Sequence, residues 1–186
     1  PGEGDAKDAL RKILEDEPKD TSHALWLVLI GHGTFDGKRA KFNLRGPDLE
    51  ATELAKWLED FERPLALINC ASSSAPFLKA ISGKQRIVVT ATRSGYEQNF
   101  CYLGGYLATT IADPSADLDK DSQVSLLEAW LIANRRTADF YKKEGRLATE
   151  HSLLDDNADG KGTQGDWFRG LQVTKKSAEE GLLPDG

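Results

Sequence analysis

LWLVLIGHG, from Leu25 to Gly33, opens with six residues that carry no polar side chain and closes on glycine, histidine, glycine. An apolar run this short, rich in Leu, Ile and Val and stopped by Gly31, reads as a strand covered on both faces, as in a parallel sheet flanked by helices. It delivers His32 to the strand's C-terminal end, where the loops of open α/β sheets form ligand-binding crevices. A second run, Pro64 to Asn69, ends the same way on Cys70 within INCASSS. Two parallel strands would set a histidine and a thiol on one rim.

Around these runs the chain alternates helical and strand patterns. Ala6, Leu10, Ile13 and Leu14 recur at helical spacing over Asp5 to Glu15. After His32, Asp36-Gly37 signals a hairpin, a two-stranded excursion at the sheet edge. Asp48 is placed as the N-cap of a helix that carries Leu54, Trp57, Leu58 and Phe61 and runs to about Asp60. Strand, helix, strand with a right-handed crossover then makes the two apolar runs neighbours. A short helix is expected from Ser74 to Ile81, a third strand over Arg86 to Thr92, a helix through Phe100, Leu103, Leu107 and Ile111 that stops at Asp113-Pro114, and a long helix from Ser125 to Lys143. RLATEHSLL reads as a last, irregular strand. The expected domain spans 1–163, with 164–186 as a peripheral tail.

Composition bounds the function. With 186 residues, 39% hydrophobic and 29% charged, the chain is one domain able to bury a core. Its net charge of −6 argues against a nucleic-acid partner, which needs clustered Lys and Arg. No apolar run approaches the roughly 20 residues of a membrane span. The chain begins at Pro1 and holds no methionine, so an upstream segment is expected to lie outside it. Localisation stays open, as does redox compartment, since two cysteines fit a disulfide, a catalytic thiol or a buried bystander.

A thiol where a strand gives way to a helix lies near free N–H groups that favour the thiolate and hold an oxyanion, and small residues there admit a substrate. His32 could protonate a leaving amine, with the bare N–H of Gly33 beside it. The alternative is a small buried cysteine and an ordinary strand-end histidine. These residues resemble the caspase-like cysteine peptidases, the clan of legumains, caspases and metacaspases: a hydrophobic strand ending in His-Gly, a helical crossover, then a strand ending in x-Cys-x-Ser. VVTATRS is similar to the legumain-type strand that precedes the specificity loop, and the likeness runs from Ala24 to Ala112. The resemblance implies a three-layer α/β/α domain with a mostly parallel sheet. It implies an endopeptidase that forms a thioester acyl-enzyme, with Cys70 as nucleophile, His32 as general acid/base and the N–H groups of Gly33 and Cys70 as the oxyanion hole. It places Arg93 and Ser94 in the substrate pocket, and Arg93 could pair an acidic group bidentately. The sequence departs from the pattern at Ile68, where the family carries an acid, and at Ser73, where glycine is frequent. The family's first strand is absent, so an upstream segment or a second chain is expected to complete the domain. His23 and His151 read as structural, and Cys101 as core on the inward face of its helix.

Two acidic loops follow the twelve-residue calcium pattern. In the first, Asp117, Asp119, Asp121, Gln123, Ser125 and Glu128 hold the ligand places, with Ser122 at the glycine place. In the second, Asp155, Asn157, Asp159, Lys161 by its carbonyl and Asp166 do so, with Gly160 in position. The competing reading is a solvated acidic turn. Structural calcium is the expected cofactor, no organic cofactor is expected, and GKGT at Gly160 lacks the upstream glycine and strand of a phosphate loop. Beside the peptidase with its peptide substrate stand two further readings, a catalytically silent, calcium-stabilised interaction module and a transpeptidase.

Overall fold

Backbone pairing joins the two apolar runs side by side. In the computed structural model, which describes residues 5–168, β1 (Leu25–Leu29) pairs in parallel with β5 (Leu65–Asn69), from Leu25↔Leu65 to Leu29↔Asn69. β5 pairs in parallel with β6 (Arg86–Thr90), then antiparallel β7 (Leu153–Asp155) and β8 (Thr163–Gln164) extend the sheet in the order β1-β5-β6-β7-β8. The molecule is thus an α/β domain whose central sheet is mostly parallel. A second sheet, β2 (Gly33–Phe35), β3 (Ala40–Phe42) and β4 (Leu49–Glu50), grows from the loop after His32. It has three strands where the Asp36-Gly37 signal predicts two; Gly37, at φ 88°, makes the reversal.

Helices cover both faces of the sheet. Leu65 and Leu67 of β5 and Val88 of β6 belong to one buried cluster with α1 (Ala6–Asp16), α2 (Ala51–Trp57) and α3 (Ala75–Ile81). Ile68, Cys70 and Val89 face the opposite way, into a cluster with α4 (Leu103–Thr110) and α5 (Leu126–Lys143). This is strand alternation with both faces buried, and β5, the sheet's second strand, is buried throughout. Asp5 caps α1, and Lys7 on its first turn meets Glu53 of α2 at 2.6 Å. The Ser125–Glu128 capping box starts α5.

Several expectations need correction. β1 is not covered on both faces: it is the sheet's edge, and Trp26 and Val28 are each 46% exposed, because the α4–α5 layer does not extend over it. Ile13 is exposed, and α1 buries Leu14 alone. Asp48 does not cap α2; its carboxylate accepts the Leu44 N–H, Glu50 takes the cap, and the helix ends at Trp57. Cys101 is buried but precedes α4, and Phe100 and Ile111 at the two ends of that run are exposed. The boundary at 163 falls inside β8, and Phe168 packs edge-on against Trp130 at 5.9 Å, so the domain continues at least that far. The rest of the expected tail, 169–186, lies outside the described residues. No helix among the described residues is long and apolar enough to cross a membrane.

Candidate functional site

The parallel register brings His32 and Cys70 to one rim. Cys70 follows Asn69, the last paired residue of β5, and His32 lies three residues past Leu29, its partner on β1. The histidine is exposed, and its imidazole has no hydrogen-bond partner among the described residues. Its carbonyl accepts the Asn43 N–H at 2.9 Å, which fixes the turn into β2.

The thiol is less accessible than the sequence implies. Cys70 is only 7% exposed and packs against Gly104 in the first turn of α4, where an added Cβ would lie 3.1 Å from its Sγ. The next helix in sequence, α3, begins only at Ala75 and does not activate the sulfur. Burial, and then the negative charge of Glu150, push the thiol up to about 11, so it is protonated at neutral pH. Neither expected oxyanion donor is bare. The Cys70 N–H donates to Leu29 O at 2.9 Å, and the Gly33 N–H donates to Ser72 Oγ at 3.1 Å. The Ser72 hydroxyl in turn donates to Gly33 O at 2.9 Å, and an added Cβ on Gly33 would sit 2.1 Å from Ser72 O.

The serines after Cys70 are fasteners instead of open substrate floor. Ser72, Ser73 and Ser74 are all buried. The Ser73 N–H donates to Glu97 O at 2.8 Å, while the Thr92 N–H donates to Ser74 Oγ and the Ala75 N–H to Thr92 Oγ1. Asn69 Nδ2 and Ser73 Oγ are buried without a partner. Ile68, at the place of the family's acid, is buried and apolar.

Arg93 and Ser94 lie on the loop after β6. Arg93 is exposed, and its Nε sits 3.5 Å from Glu97 Oε1; Ser94 Oγ accepts the Tyr96 N–H. Glu97 is a hub that sequence reasoning missed. Its carboxylate also accepts from the N–H groups of Arg93 and His151 and lies 2.6 Å from His151 Nδ1. Glu150 was missed as well: buried, it accepts from the Tyr102 and Leu103 N–H groups at the start of α4 and from the Tyr141 hydroxyl. Burial raises its carboxyl above the ordinary value. The contacts of Glu97 with His151 and of Glu150 with Tyr102 and Leu103 span 47 to 54 positions, so no local pattern announces them.

Both acidic loops fold alike. Asp117 accepts the Asp121 and Ser122 N–H groups, Asp119 accepts the Asp121 N–H, and Asp121 accepts the Gln123 N–H. In the second loop Asp155 accepts from Ala158 and Gly160, Asn157 from Asp159, and Asp159 from Lys161. The fourth and sixth places have positive φ in each: Lys120 and Ser122, Ala158 and Gly160. Ser122 adopts the left-handed backbone in the place where the pattern expects glycine. Carboxylate oxygens of Asp117, Asp119 and Glu128 lie within 4.8 Å of one another, a set that could hold a cation. Asp121 stands outside that set, and Asp166 sits in a short 3-10 turn after β8. No family model, curated protein or solved structure matches this chain.

Proposed function

We propose that the chain is a caspase-like cysteine endopeptidase in a resting state. One observation carries the reading: two strands pair in parallel and in register, and beyond them stand His32 and Cys70 on the same rim. Cys70 sulfur attacks the scissile carbonyl, its proton passing to His32, which returns it to the leaving amine; water then hydrolyses the thioester. The open edge and face of β1 fit a domain completed by an upstream segment or a second chain. Structural calcium on the two acidic loops belongs to the same proposal, with Asp117, Asp119 and Glu128 as the first ligands.

The buried, protonated thiol and the engaged N–H groups of Gly33 and Cys70 favour a second reading, a catalytically silent, calcium-stabilised interaction module. A thiol-directed peptide electrophile separates the two. Stoichiometric labelling of Cys70 with Cys101 untouched, read by peptide mass mapping, is the expected result for the enzyme. An unlabelled Cys70 at neutral pH favours the module.

A further inference from the structure

We infer that this rim selects peptides carrying a large apolar or aromatic side chain beside the scissile bond, with Tyr96 and Phe100 as the residues that recognise it; the inference rests on the peptidase reading. The segment from Arg93 to Tyr102 is the piece of chain that touches both halves of the site. On the histidine side, Gln98 Nε2 donates to Phe35 O at 3.2 Å, and the Tyr96 and Phe35 rings meet edge to face at 5.1 Å. On the cysteine side, Glu97 O accepts the Ser73 N–H at 2.8 Å. Across this bridge Tyr96 is 72% and Phe100 62% exposed, and Phe100 is braced edge-on by Tyr102 at 5.0 Å. Exposed aromatics held by neighbouring rings offer large contact area at small entropic cost, the property of binding hot spots.

The carboxylates nearby are already committed. Glu97 is occupied by His151 and Arg93, Asp36 by the N–H groups of Lys38 and Arg39 and by the Arg39 side chain, and Glu150 is buried against the start of α4. Ile68 supplies no carboxylate. A basic substrate side chain would have to break one of these pairs, whereas an apolar one meets exposed rings.

The test uses peptides identical except for one central residue, Phe, Leu, Asp, Arg or Asn. The wild-type chain is assayed for cleavage and the Cys70→Ala chain for binding by fluorescence anisotropy. The Phe and Leu peptides are expected to be cleaved and bound best. Tyr96→Ala and Phe100→Ala are expected to weaken that preference roughly tenfold, through KM or Kd with kcat retained. Both positions are exposed, so the melting temperature should hold. A best peptide centred on a charged residue or Asn, an unchanged preference in both variants, or no cleavage and no binding of any peptide would overturn the inference. Aromatic-selective binding without cleavage would sink the peptidase reading and leave the specificity standing; cleavage with a charged preference would do the reverse.

Discussion

Ser73 occupies φ 55°, in the left-handed region, with its hydroxyl buried and unpaired. Both features cost stability, and glycine removes both: Ser73→Gly is expected to stabilise the fold by about 1 kcal/mol, read as a raised melting temperature. Glu150 acts on Cys70 through charge. Glu150→Gln keeps a carbonyl oxygen for the start of α4 but removes the negative charge that, after burial, holds the Cys70 thiol at about 11. Its alkylation midpoint with iodoacetamide should therefore move to lower pH. An unmoved midpoint would assign the whole shift to burial. The placement of His32 and Cys70 at neighbouring strand ends was legible because each follows an apolar run. The parts played by Glu97 and Glu150 were not, since their ties to His151, Tyr102 and Leu103 are long-range contacts that no spacing encodes.

Strands β5 and β6, helix α5 and the hairpin after His32 could be read from period, caps and turn residues. The error at β1 has a plain cause: Trp26 and Val28 are as apolar as Leu27 and Leu29, and sequence does not say which side a helix will cover. The acidic loops belong to this scale too, because each is a local unit of turn-forming side chains. Calcium bound only by the folded chain adds about 2.7 kcal/mol at a hundred times its Kd, so the melting temperature should rise with calcium and fall with a chelator. Asp119→Asn can still accept the Asp121 N–H but loses a negative ligand, and should blunt that response. A melting temperature indifferent to calcium would remove the metal from the proposal.

For the whole molecule, stability should fall at both ends of the pH scale. Glu53, held below 4.5 chiefly by Lys7, and Asp113, drawn to about 2 by Ser115 and then Arg136, contribute stability that is present above their unfolded values and lost as pH falls through the folded ones. Glu150 works against them: its raised carboxyl favours the fold below 4.5, and that contribution is lost as pH rises through its folded value. On the alkaline side Cys70, Cys101 and Tyr141 bind their protons more tightly when folded; the Cys70 contribution is lost as pH climbs from about 9 through about 11, and the other two are lost as pH rises through their own raised folded values. A denaturation series across pH tests both limbs, and Arg136→Gln should shorten the acid one. The contact between Gly33 and Ser72 also limits how this molecule can move. Since Ser72 gives and takes a hydrogen bond at Gly33 with no room for even a methyl between them, the hairpin and the sulfur-bearing turn form a welded bracket. A peptide reaching the sulfur would therefore have to leave this bracket in place or break both of its hydrogen bonds.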